Sequence, residues 1–229
     1  MILTVLLFTG IAFSGVLLVG MTALFHSPFG QARRIRVGRH GTTSQKDYKQ
    51  NMALTSVLSL ASVALLAALS WSWLFADGAV AWWRVPVEAL VVLLLYDFMY
   101  YFMHRFPFHE WKRFKKIHAV HHRIRNPSAI DSLYLHPVEN LAGLVLLWVA
   151  TALVGLVAGP VHVLSFGIAF VVYTTMNVLV HAGLEWKVFP LTVLGGIARR
   201  HDKHHANMAA GNYANLFPFW DRMFGTEVK

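Results

Sequence analysis

Thirteen of the 229 residues are histidine and none is cysteine, so metal or nucleophile chemistry in this chain falls to imidazole. Disulfides, cysteine nucleophiles, thiolate haem and Cys-ligated iron–sulfur clusters are excluded. Two clusters share the spacing H-x-x-H-H: His118-Ala119-Val120-His121-His122 and His201-Asp202-Lys203-His204-His205. On a helix, positions i, i+3 and i+4 share a face, so each cluster is expected to offer three imidazoles to one point. His104, His109 and His181 bring the candidate ligands to nine. Imidazole suits Zn, Cu, Fe and Ni. Three imidazoles approach saturation of one ion, and nine invite two. His136 is a further candidate, either completing a metal shell or orienting Glu139. His26 and His40 read as wet surface groups, and His162 falls at the opposite membrane face from the clusters.

The elements that must position these histidines are apolar. Hydrophobic residues make up 56% of the chain and charged residues 14%, with a mean hydropathy of +0.51. Soluble domains carry about 25% charged residues, so a water-soluble globule is excluded, and so is disorder. Five stretches reach the roughly 20 apolar residues needed to cross a bilayer: Met1–Phe25, Met52–Phe75, Val85–Met103, Leu141–Ala158 and Val161–Val180. Gly159 and Pro160 break the last two apart. Met1–Phe25 lacks a positive leading region and its arginines follow it, so it reads as a retained helix and not a leader. The fold expected is an all-α membrane bundle with a histidine-rich helical cap. Residues 1–84 would form the N-terminal transmembrane helices and residues 85–229 the histidine-bearing region.

Basic residues cluster between the first and second stretches, between the third and fourth, and after the fifth. Only Arg84 lies elsewhere. Five alternating crossings put all three basic regions on one side, which Lys/Arg excess in short loops marks as cytoplasmic, with the N-terminus outside. The histidine clusters fall on that same side. The net charge of +9 suits anionic membrane lipids and not nucleic acid, because every basic stretch abuts a membrane span. A haem protein would face single histidines across the bilayer, and a metal transporter would hold its ligands near the midplane. A histidine-lined divalent metal transporter and a non-catalytic metal-binding membrane protein remain the alternatives to a two-metal enzyme.

The order His104-x4-His109, His118-x2-His121-His122, Asn177-x3-His181 and His201-x2-His204-His205 resembles the fatty acid hydroxylase/sterol desaturase superfamily. His136-Pro137-Val138-Glu139 and the tail from Asn212-Tyr213 to Asp221-Arg222-Met223-Phe224-Gly225-Thr226 add to the likeness. The resemblance runs from about Asp97 to Thr226. One departure is Asn177, where some members carry histidine, so Asn177 is left outside the ligand set. The resemblance implies two non-haem irons, O2 as co-substrate, and hydroxylation or desaturation of a lipid taken from the bilayer. Two electrons per turnover would come from a separate ferredoxin or cytochrome b5 type donor with its reductase, since the chain carries no dinucleotide fingerprint. A ligating imidazole needs an acceptor on its other nitrogen, for which Asp97, Glu139 and Asp202 are candidates. Asp97 is also costly in hydrocarbon, which favours a functional role.

Overall fold

The computed structural model describes residues 2–37 and 43–228; His40 and Arg39 lie outside them. Five helices are long and apolar enough to cross a membrane: α1 (Ile2–His26), α3 (Gln45–Leu74), α4 (Arg84–Met103), α6 (Pro137–Ala158) and α7 (Val163–Val180). Among the described residues, four shorter α-helices join them: α2 (Pro28–Gln31), α5 (Lys112–His118), α8 (Leu191–Ala206) and α9 (Phe219–Met223). The all-α membrane bundle expected from sequence is what forms.

Several boundaries differ from the apolar runs. Helix α3 starts seven residues before Met52, because Ser44 accepts from Asp47 N–H at 3.1 Å and caps a polar first turn that hydropathy alone does not register. Helix α6 begins at Pro137, a favoured first helical position, with the His136 ring accepting from Val138 N–H at 3.1 Å. Helix α7 begins at Val163 because Val161–His162 instead pairs in parallel with Phe75–Ala76, the two short strands β2 and β1. The His162 ring then caps α7 through Leu164 N–H and reaches Gly78 O at 3.0 Å.

Helix α7 lies between α1 and α4, while α6 lies between α3 and α4. Side chains from all five spans meet in one core, including Leu7, Val63, Val92, Trp148 and Phe166. The α1–α7 contact is close: a Cβ on Gly167 would stand 3.0 Å from Leu6 Cδ1, the small-residue approach that membrane helices use. Phe8, Val16, Leu65, Leu69 and Leu156 are exposed around the outside, as a lipid-facing surface requires. Helices α1 and α3 scarcely touch, and a pocket lies between them.

The two ends differ sharply. At one, Glu88 binds Arg84, His162 N–H (3.0 Å) and Ser165 Oγ (2.7 Å) and ties the α6–α7 turn to α4. At the other, α4 widens into a π-helical turn, His104–Glu110, and then α5, α8 and the C-terminal segment form a cap. The cap is tied to the segment after α1. Arg36 pairs with Asp202 (Nε–Oδ2 2.7 Å), and Ile35 N–H donates to Gly183 O at 3.0 Å.

Candidate metal centre

Helix geometry decides where each imidazole goes. Five residues along an α-helix turn a side chain through about 500°, or 140° off the starting face. His104 and His109 would then point apart. The wider winding of the π-turn, which accommodates Pro107, brings them back to one side, and their Nε2 atoms lie 3.2 Å apart. Such π-turns recur at functional sites.

The nine histidines form two buried sets. His104, His109, His118, His122 and His204 make one, and His121, His181, His201 and His205 the other. This corrects the expectation that each H-x-x-H-H cluster serves one point. Neighbours on a helix diverge by about 100°, so the pair at i and i+4 turns to one set and the residue at i+3 to the other. His118 and His122 join the five-membered set while His121 leaves it, and His201 and His205 join the four-membered set while His204 crosses over. The first cluster also leaves the regular helix, since α5 ends at His118 and His121–Arg123 is a 3-10 turn.

The ring protons are dictated by the other nitrogen. A carbonyl can only accept, so an Nδ1 facing one carries the hydrogen. Nδ1 faces Tyr213 O in His104 (2.7 Å), Met208 O in His109 (2.7 Å) and Tyr134 O in His121 (3.0 Å). It faces Asn177 O in His181 (2.7 Å), Gly211 O in His204 (2.9 Å) and Ile124 O in His205 (2.8 Å). In His118 it faces Glu139 Oε1 at 2.8 Å. Seven of the nine imidazoles therefore present a bare Nε2 lone pair inward. Neighbouring Nε2 atoms within each set lie 2.9–3.2 Å apart. Ligands at right angles around an ion with a metal–nitrogen bond of about 2.1 Å would be separated by about 3 Å. Lone pairs that close repel one another unless a cation sits among them, so the donor sets fit metal. Burial pushes the rings of His118 and His181 down to about 3, and it lowers those of His121, His122, His201, His204 and His205 as well. All stay neutral near pH 7, the ligating form.

The acids divide. Glu139 reaches an imidazole, as anticipated. Asp97 does not: its carboxylate accepts from the backbone N–H groups of Asn215, Leu216 and Phe217 at 3.0, 2.8 and 2.7 Å. Asp202 also turns away from the rings and pairs with Arg36. Asp97 lies two turns before His104 on the same face, but its oxygens are taken by the backbone of the segment packed opposite. His136 stays outside both sets as the cap of α6. Asn177 contributes its backbone carbonyl to His181, and the residue lines the cavity beside that ring.

Sequence reasoning missed the C-terminal segment as a scaffold. Three acceptors for the five-membered set, Met208, Gly211 and Tyr213, are backbone carbonyls within six residues, invisible to residue type. That segment is folded by its own side chains. Asp221 accepts from Tyr213 N–H (2.8 Å), Ala214 N–H (3.0 Å) and Thr226 Oγ (2.8 Å). Asn212 adopts a left-handed φ of 66° and bonds both Arg200 O and Val228 O. Gly211 lies against Thr226 O, where a Cβ would stand 1.8 Å away. Phe224 stacks on Tyr101, and Trp220 packs on Phe98, which fastens the clasp to α4.

One cavity adjoins the histidines, and a second adjoins the first. An inner chamber of about 60 Å³ is lined by His104, His118, His121, His181, His201 and Tyr100, among others. An outer, mostly apolar pocket of about 300 Å³ lies between α1 and α3, with Ile11, Gly15, Leu18, Leu60 and Val63 in its wall. Ser132, Leu135, Asn140, Tyr173 and Asn177 belong to both.

The model of the fatty acid hydroxylase family matches residues 89–226. The chain is 34% identical over 154 residues to "Methylsterol monooxygenase 1" of Rattus norvegicus, covering 65% of this chain and 49% of that protein. It is 31% identical over 151 residues to "Methylsterol monooxygenase 2-2" of Arabidopsis thaliana, with 64% and 54% covered. It is also 31% identical over 150 residues to "Very-long-chain aldehyde decarbonylase GL1-11" of Oryza sativa subsp. indica, again with 64% and 54% covered. The chain spans about half the length of the curated relatives it matches. No solved structure matches it.

Proposed function

Because the chain belongs to the fatty acid hydroxylase family, we propose that it is a membrane-bound di-iron oxygenase that hydroxylates or desaturates a lipid C–H bond. Its co-substrates are O2 and two electrons from a separate donor. The observation that carries this reading is the tautomer shared by seven of the nine rings: carbonyl and carboxylate acceptors turn their Nε2 atoms inward, into two groups of metal donors. The nine histidines are the proposed iron ligands, and five would hold one ion and four the other. Bound iron would supply reductive O2 activation and C–H oxidation. The protein holds the ligands rigid and keeps the chamber small and dry. Glu139 keeps the His118 ring in its ligating tautomer.

Lipid reaches the chamber from the bilayer through the pocket between α1 and α3, so residues 85–229 form the catalytic region and residues 1–84 complete its access side. Gly15 lies in that wall with open space where a Cβ would stand. Gly15→Trp should lower turnover of a lipid substrate at least about tenfold while iron content stays unchanged, since the ring fills the pocket far from any ligand. Equal turnover would place the access route elsewhere.

The histidine end is proposed to face the cytoplasm, where reductants and anionic lipids meet the basic cap. The native chain has no cysteine, so Ser44→Cys and Gly78→Cys report cleanly. Labelling with an impermeant thiol reagent in sealed, right-side-out membranes should modify only the cysteine at 78. Modification of both from outside would remove the five-crossing arrangement.

The reaction itself is tested with purified protein, O2 and reduced ferredoxin or cytochrome b5 with its reductase. Oxygen uptake should require the reductant and yield an oxidised lipid, whereas iron and O2 alone should stop within one turnover per site. Sustained turnover without reductant would contradict the scheme.

A further inference from the structure

Three polar atoms in the wall of the inner chamber have no hydrogen-bond partner among the described residues: Ser132 Oγ, Glu139 Oε2 and Asn140 Nδ2. All three atoms are buried, and Ser132 as a residue is 1% exposed. Ser132 lies in the 3-10 turn Ala129–Leu133, and Glu139 and Asn140 lie in the first turn of α6. Two of these residues, Ser132 and Asn140, also line the outer pocket, so they stand where a lipid would pass from one cavity to the other. Their other atoms are occupied, which fixes what remains on offer. Asn140 Oδ1 accepts from Ser59 Oγ at 3.1 Å, leaving the amide N–H groups as donors. Glu139 Oε1 is held by His118, leaving Oε2 as an acceptor. Ser132 supplies a hydroxyl that does either. A buried polar group without a partner is costly, so this wall favours a ligand that satisfies donor and acceptor together.

We propose that Ser132, Glu139 and Asn140 form a seat for the hydroxyl group of a neutral lipid alcohol, held so that carbon near that hydroxyl faces the histidine sets. The inference rests on the oxygenase reading for its consequence, though not for the binding itself. A hydroxyl accepts from Asn140 Nδ2 and donates to Glu139 Oε2 or Ser132 Oγ. A free fatty acid would bury an ionised carboxylate, which is costly and which only accepts, so Glu139 Oε2 stays bare; an alkane leaves all three atoms bare. The apolar remainder of the lipid fills the outer pocket among Ile11, Leu18, Leu60 and Val63. The chamber's volume of about 60 Å³ admits only a few atoms beyond the seat, so oxidation falls close to the alcohol end and not in mid-chain. Both a sterol and a linear alcohol carry this chemistry.

The test is equilibrium binding of tritiated hexadecanol, cholesterol, palmitate and hexadecane to the full chain in detergent micelles. At least one alcohol should bind about tenfold more tightly than hexadecane, the effect of one or two satisfied buried hydrogen bonds, and palmitate should not exceed hexadecane. Which alcohol wins identifies the lipid as sterol or linear. In Asn140→Leu and Ser132→Ala the preference for alcohol should shrink towards unity with hexadecane binding retained. Tightest binding of palmitate, no preference in the wild type, or full preference in both variants would overturn the seat. Should Asn140→Leu fail to fold, the wild-type ligand series and Ser132→Ala decide the matter alone. Iron analysis of the same samples separates the two readings. Protein without iron that still prefers alcohol defeats the oxygenase and keeps the seat, whereas iron-loaded protein without the preference does the reverse.

Discussion

His121→Ala should empty the four-imidazole set and spare the five-imidazole set, although His118 and His122 are its neighbours in the chain. His204→Ala should do the opposite, although it lies between His201 and His205. The reason is the roughly 100° between adjacent positions, which sends His121 and His204 to the set that their neighbours do not join. Each variant should keep one tightly held ion and lose most of the other at matched expression. Activity should fall well beyond the 10–100-fold typical of losing a mere supporting hydrogen bond, because the proposed chemistry uses both ions. His162→Ala and His26→Ala are controls. His162 is a helix cap at the far end of the bundle, and His26 is exposed where α1 ends, outside both sets. Loss of the same ion from His121→Ala as from His118→Ala would show that each H-x-x-H-H cluster acts as one unit after all.

The second large effect is expected far from any ligand. Asp97→Ala removes an acceptor shared by three consecutive backbone N–H groups. Each buried group left bare costs about 1–3 kcal/mol, so a destabilisation of at least about 3 kcal/mol is expected. The loss should be local first. Residues 208–217 carry the carbonyls that orient His104, His109 and His204, so the five-membered set should lose its ion while the four-membered set holds its own more firmly. Asp97→Asn keeps an acceptor oxygen and should fall between. Thermal unfolding, limited proteolysis of the C-terminal segment and metal content together check this. An Asp97→Ala protein with a protected tail and both ions would contradict the clasp.

Residue type and spacing made the spans and the nine histidines legible, because apolar length and imidazole frequency are strong signals that survive without coordinates. Which histidines gather was readable; their partition into two sets was not. That depended on a π-turn around Pro107 and on the break in helix after His118, neither of which residue type announces. Glu139 was readable as an imidazole partner, yet Asp97 and Asp202 looked equally suitable and turned elsewhere, since a carboxylate's direction is set by what packs opposite. Six of the seven Nδ1 partners are backbone carbonyls, which every residue possesses and no sequence pattern marks. The start of α3 was hidden by its polar first turn.

Iron-edge anomalous scattering from crystals of the purified, iron-loaded chain tests the central claim most directly. Two iron peaks are expected per chain, one among His104, His109, His118, His122 and His204 and the other among His121, His181, His201 and His205. A single peak, or iron bound away from these imidazoles, would contradict the two-site account.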